Sequence, residues 1–158
     1  MAITNEEFKH ALGRFASGVT VVTTKDNAGN LRGLTVSAFC SVSMNPPLVL
    51  VCILKTTPCY YAFEESKAFV VNILNESQQH LSNQFAAKHE DKFDGVSYKS
   101  GVLGSPVLDD CLVNLECVLK HSFDGGDHSI FVGEIENITI NEGNPLVYWK
   151  GDYRDFKI

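Results

Sequence analysis

The chain has 158 residues, 44% of them apolar and 20% charged, with five cysteines and a formal net charge of −6 at pH 7. That length fits one domain over residues 1–158 with a sizeable core and leaves no room for a second full domain. The acidic balance argues against a nucleic-acid partner, which needs a clustered basic face to displace counterions from phosphates. No basic leader precedes an apolar run, and no such run approaches the roughly 20 residues that span a bilayer, so a soluble, cytoplasmic protein without a membrane partner is expected.

In chain order, Thr4 and Glu7 form a capping box for a helix over 4–16, with Phe8, Ala11, Leu12 and Phe15 on one stripe. Residues 19–24, VTVVTT, are a β-branched strand, and KDNAGN reverses it into a second strand at about Leu31. The run 47–54 reads as a core strand. Pro58 suits the first turn of a short helix through about Glu65, and AFVVNIL at 68–74 returns as a strand. Asn75 with Gln78 caps a helix through about Ala87.

The second half is more plainly β. Val113, Leu115, Cys117 and Leu119 alternate with Asn114, Glu116 and Lys120, which predicts an antiparallel strand with one wet face. Gly125-Gly126-Asp127-His128 turns the chain into SIFVGEIENITI, whose apolar phase shifts between Ile135 and Ile138 as at a bulge. PLVYWK at 145–150 supplies a final strand. Hairpin links without βαβ alternation predict a mostly β, α+β fold, a closed or partly closed antiparallel barrel with short flanking helices.

Several chemistries lack their signatures: there is no Gly-x-Gly-x-x-Gly after a strand, no Walker loop, no Gly-x-Ser-x-Gly and no His-Glu-x-x-His. The cysteines read as reduced thiols of the core. Cys111 and Cys117 would lie about 20 Å apart on an extended strand and could not share a metal with His121. The stretch 34–54, LTVSAFCSVSMNPPLVLVCIL, instead sets a row of hydroxyls beside a core strand. Taken alone, Thr35 and Ser37 fit the wet face of a strand, Thr56 or Thr57 a helix cap, Phe85 a helix core and His128 a surface turn. Asn72 is an amide among apolar neighbours and needs its donors and acceptors paired, by backbone or by a ligand.

Six segments in register, RFASGVTVVTT, GLTVSAFCSVSMNPPLVLVCI, FVVNIL, NQFA, GDHSIFVGEI and PLVYWKGDY, resemble the flavin reductase-like family of FMN-binding split barrels. That resemblance covers nearly the whole chain. It implies an antiparallel split β-barrel that binds FMN, with FAD as the alternative, and uses NADH or NADPH as co-substrate. Thr35, Val36, Ser37, Ala38 and Ser41 would lie along the isoalloxazine, Cys52, Ile53 and Leu54 would border the ring, and Lys55 and Thr57 would lie towards the phosphate. Asn72 and Phe85 complete the implied cofactor set. His128, in the Gly-Asp-His segment, would be the catalytic residue that holds the nicotinamide over the ring, and no metal is implied.

The implied reaction is hydride transfer from NAD(P)H to flavin N5, with reduced flavin or electrons passing to an acceptor such as a partner monooxygenase. A homodimer with the flavin sites at or beside its interface is implied as well. The alternative is an FMN-binding electron-transfer or sensing module without efficient NAD(P)H oxidation, and His128 is the residue that separates the two readings. Leu34 and Val36 depart from the commonest family wording, and the shape of the ring pocket, with the choice between FMN and FAD, turns on them.

Overall fold

A computed structural model describes residues 2–88 and 91–156. Helix α1 (Asn5–Leu12) opens the chain, capped as expected by reciprocal Thr4–Glu7 hydrogen bonds. Strands β1 (Ser17–Gly18), β2 (Thr20–Lys25) and β3 (Leu31–Val36) follow. Then come β4 (Phe39–Met44), β5 (Pro47–Leu54), α2 (Tyr60–Glu65) and β6 (Ala68–Ile73). A single 3-10 turn, Glu76–Gln78, leads into α3 (Gln79–Ala86), and the Asn75–Gln78 capping box forms as the sequence predicts. The rest is β: β7 (Tyr98–Ser100), β8 (Pro106–Leu108), β9 (Val113–Gly125), β10 (His128–Ile140), β11 (Val147–Trp149) and β12 (Asp152–Arg154). No helix among the described residues is long and apolar enough to cross a membrane.

The principal sheet has seven antiparallel strands in the order β3-β2-β6-β9-β10-β5-β4. Its two edge strands, β3 and β4, are consecutive in the chain and joined only by Ser37 and Ala38. The sheet therefore curls until its edges meet, yet β3 and β4 are not paired, which is a split barrel. Inside the curl lies one core, drawn from Val22, Val36, Val51, Ile53, Phe69 and Phe131 among others. The expected bulge is present, with the β9–β10 register shifting between Ile135 and Asn137.

A second core covers the outer face of β2 and β6 with Leu81 and Phe85 of α3, Leu108 of β8 and Leu146. Val21 belongs to this core and Val22 to the other, so β2 is buried on both faces, which accounts for its unbroken β-branched run. The same cover corrects one expectation. Asn114 and Glu116 of β9 are each 4% exposed, so their face is not wet. The segment Gly101–Leu108 lies over it: the Leu103 amide donates to Glu116, and Asn114 Nδ2 donates to the Leu108 carbonyl at 3.1 Å. Period-2 alternation tells which residues share a face but not whether another segment lies on it.

Two further expectations change. Helix α1 ends at Leu12 and buries none of its residues, leaving Phe8 59% and Leu12 56% exposed. PLVYWK does not extend the barrel, because β11 pairs with β1 and β12 in a separate three-stranded sheet. The five cysteines are all free, but only Cys111 and Cys117 are core thiols, and burial pushes both up to about 12.

The interior is fixed by one polar knot. Asn72, wholly buried on β6, donates to the Val21 carbonyl at 2.9 Å and the Thr23 hydroxyl at 3.0 Å. Its Oδ1 accepts from the Leu108 amide at 3.0 Å and from Asn114 Nδ2 at 2.8 Å. Four bonds tie β2, β6, β8 and β9 together, and a side-chain amide has no further capacity. Replacing Asn72 with Leu strands these partners in an apolar surround, at about 1–3 kcal/mol for each group left unsatisfied. A loss of about 2–4 kcal/mol in urea unfolding is expected for Asn72→Leu, and an unchanged midpoint would show the knot to be dispensable.

Candidate functional site

The link between the sheet edges is the place where the fold leaves polar backbone uncommitted. Among the described residues, neither the Ser37 nor the Ala38 amide donates to a backbone carbonyl. Both side chains are small and exposed. The Ala38 carbonyl accepts from the Cys52 amide at 3.0 Å, which seats the link against the last turns of β5. Beside it, Thr35 Oγ1 donates to the Ser82 carbonyl at 2.6 Å, and Ser82 Oγ is 2.7 Å from the Tyr153 hydroxyl. Helix α3 and β12 thereby brace the end of β3.

Farther along the same rim, Leu54 stands opposite His128 in the β5–β10 ladder, and the Lys55 amide donates to the Asp127 carbonyl at 3.0 Å. The Lys55 ammonium bonds the Asp124 carboxylate and, at 2.7 Å, the Gly126 carbonyl. Hydrogen bonding to Asp124 raises Lys55 above its ordinary value, and the same bond lowers Asp124. His128 Nδ1 lies 2.6 Å from Asp127 Oδ1. An acceptor on Nδ1 fixes the proton there and leaves Nε2 free, as in other carboxylate–imidazole pairs. One rung inward, the Tyr60 hydroxyl meets Ser129 Oγ at 2.7 Å.

The structure thus gathers Thr35, Ser37, Ala38, Cys52, Leu54, Lys55 and His128 along one rim, with Thr57 bonded through its amide to the Leu54 carbonyl at 3.0 Å. Burial pushes the half-buried Cys52 thiol up, so it stays protonated at neutral pH. Ser41 lies three residues along β4, opposite Val49 and beside a bulge. Val36 and Ile53 turn their side chains into the core and have only backbone to offer.

Two implied contacts do not reach the rim. Asn72 spends every donor and acceptor inside the protein. Phe85 is wholly buried beneath β3, so close that a Cβ on Gly33 would come within 2.8 Å of its ring. Neither Thr56 nor Thr57 caps α2, whose N-cap is Cys59 without a side-chain bond. Ser82, Tyr60 and Tyr153 join the rim only through tertiary contacts, and no local pattern sets them apart in the sequence. Two shallow, open clefts lie elsewhere, one of about 460 Å³ beside α1 and one of about 520 Å³ beside Arg32 and Phe93. The rim is an open face, rich in short hydroxyls and free amides. No group of three metal-ligating side chains occurs among the described residues.

That combination of split sheet, uncommitted amides and Gly-Asp-His turn agrees with the comparison to protein families, in which the flavin reductase like domain matches residues 12–157. The chain belongs to the flavin reductase-like family. It is 39% identical over 153 residues to the reductase subunit HsaB of a flavin-dependent monooxygenase from Rhodococcus jostii (strain RHA1), covering 96% of this chain and 78% of that one. To an FMN reductase (NADH), RutF 2, from Rhizobium rhizogenes (strain K84 / ATCC BAA-868) it is 38% identical over 152 residues, covering 94% and 87%. Among solved structures, a Streptomyces globisporus NADH:FAD oxidoreductase, SgcE6, in complex with NAD and FAD fragments superposes with a TM-score of 0.92 at 31% identity, covering 99% and 97%. Other relatives in the family are longer, this chain spanning 47% of one of them.

Proposed function

We propose that this flavin reductase-like protein is an NAD(P)H-dependent flavin reductase whose flavin lies along the rim from Thr35 to His128. The observation that carries the reading is the pair of uncommitted amides at Ser37 and Ala38, set in a family match that runs almost the length of the chain. The rim suits a flavin: short donors face an open surface, no bulky side chain stands over Ser37 or Ala38, and hydroxyls flank them. When bound, the flavin supplies a hydride acceptor at N5, and a protein in this role contributes orientation and electrostatics more than reactive groups.

The chain's own residues divide that work. Ser37 and Ala38 hold the ring edge with their amides and the Ser37 hydroxyl, while Thr35, tied to Ser82, fixes the end of β3. Leu54 and the half-buried Cys52 give the ring an apolar border. Lys55 and Thr57 stand at the end of β5, where they would hold the phosphate, with Lys55 exchanging its Asp124 carboxylate for it. Asp127 holds the His128 ring by Nδ1, so that Nε2 is presented to the nicotinamide amide in one tautomer. No residue need gain or lose a proton in the hydride step, so the Asp127–His128 pair serves to orient a ring rather than to move a proton.

A passive flavin carrier needs the ring site but not His128, which separates the two readings. Ser37→Leu should abolish uptake of FMN and FAD while leaving the fold intact, because Ser37 is exposed. His128→Ala should keep flavin affinity yet slow anaerobic reduction by NADH about tenfold or more, which corresponds to about 1.4 kcal/mol of transition-state stabilisation. Wild-type reduction in stopped flow would remove His128 from the reaction, and undiminished flavin binding by Ser37→Leu would remove the rim.

The reduced product would serve a partner monooxygenase or another acceptor. Two copies of the chain would form the working unit, because the rim is an open face and sizeable apolar surface stands uncovered beside it. Val42 and Met44 on edge strand β4 are 49% and 94% exposed, and α1 offers Phe8 and Leu12. An unpaired edge with apolar side chains is what a two-fold partner covers. Sedimentation of the flavin-loaded protein at micromolar concentration should give a dimer, and a flavin-loaded monomer there would overturn this assembly.

A further inference from the structure

The cleft between the end of α1 and the β11–β12 turn is predominantly basic. Its cavity of about 460 Å³ is lined by Lys9, His10, Gly13, Arg14, Lys150 and Gly151, with Glu6 its one acidic residue. Among the described residues no carboxylate pairs with Lys9, Arg14 or Lys150. Arg14 Nη2 approaches His10 Nε2 at 2.8 Å. Arginine only donates, so that imidazole nitrogen accepts and orients the guanidinium. Three cations that form no salt bridge among the described residues thus line one cleft with Glu6, in a chain whose net charge is −6.

The cleft is braced from both sides. The Lys150 amide donates to the Gly13 carbonyl at 2.9 Å, and Trp149 Nε1 donates to the Arg14 carbonyl at 2.9 Å. The hairpin turn carries its own signal. Trp149 pairs with Asp152, so Lys150 and Gly151 form a two-residue loop, with φ of 52° and 79°. That is the type I′ turn, in which asparagine or glycine is favoured at the first position and a lysine sits at a conformational cost. Its ammonium rests 4.3 Å over the Trp149 ring, with no carboxylate partner among the described residues. A lysine held in a disfavoured backbone state, unpaired and beside an anchored arginine, is arranged for an anion that the two can share.

We propose that this cleft is an anion-binding site for a phosphate group carried by a nucleotide. The site itself rests on the cleft alone, and its nucleotide source rests on the flavin reductase reading. Helical phase sets Glu6 and His10 on the side of α1 away from Phe8 and Leu12, so a copy of the chain closing over that apolar stripe leaves the cleft open.

Trp149 is the only tryptophan in the chain, so its emission reports on this cleft directly. The full-length protein is titrated at constant ionic strength with inorganic pyrophosphate, ADP and adenosine 2′,5′-bisphosphate. All three should give a saturable change in Trp149 emission. Lys150→Asn suits the turn better and removes the charge, so it should weaken each midpoint at least tenfold with the thermal midpoint unchanged or raised. Arg14→Gln should weaken binding similarly. No saturable change, or the same midpoint in Lys150→Asn, overturns the site. Saturation by pyrophosphate without response to the adenosine nucleotides overturns the nucleotide assignment. Failure of the flavin reductase reading would appear separately, as no NADH oxidation by a protein whose Trp149 titration is intact.

Discussion

Ser37 and Ala38 join strands that stand at opposite edges of one seven-stranded sheet. The three steps from Val36 to Phe39 reach about 11 Å at most, so the two edges must come together at that end. If the ladder closed there, its hydrogen bonds would consume the amides of the link. If the sheet lay flat, the edges would stand far apart. The split between those extremes is what leaves N–H groups free on a rigid, well-packed frame, and the rest of the rim is placed relative to it through the β4–β5 and β5–β10 registers.

That frame is rigid because its central strands are covered twice. β2 and β6 separate two cores, one inside the curl and one beneath α3 and β8. Phe85 and Gly33 meet at a contact with no room for a side chain on the strand, so α3 sets the position of β3 and, through Thr35 and Ser82, of the link. The Asn72 knot adds direction to this packing: apolar contacts tolerate sliding, whereas four saturated hydrogen bonds in a dry interior define one register for β2, β6, β8 and β9.

Charge is distributed with the same economy. At the His128 end of the rim stand Lys55, Asp124 and the Asp127–His128 pair, and Lys55 is engaged by the hairpin turn that bears His128. An anion drawing on that ammonium would compete with Asp124, which lies on the same hairpin as His128. The cleft beside α1 differs in that Lys9, Arg14 and Lys150 have no carboxylate partner among the described residues.

Local pattern was enough for much of the fold. Both capping boxes, the Pro47–Leu54 strand, the reversal after Lys25 and the β10 bulge follow from residues close in sequence, because caps, turns and side-chain periods are short-range effects. The family segments likewise marked Thr35–Ala38, Cys52–Leu54 and His128, whose spacing is kept by the ladder. What covers each face was not legible. Asn114 and Glu116 look wet until the Gly101–Leu108 segment folds over them, and Phe8 and Leu12 look buried although each stays more than half exposed. Asn72 reads equally as a ligand contact or as an internal tie, and only the approach of Val21, Thr23, Leu108 and Asn114 from four other places in the chain decides it. The sequence by itself determined the elements and the chemistry at the link. Tertiary structure alone decided which polar groups were spent inside and which were left for a ligand, because a hydrogen bond between distant residues leaves no mark on the local order of either.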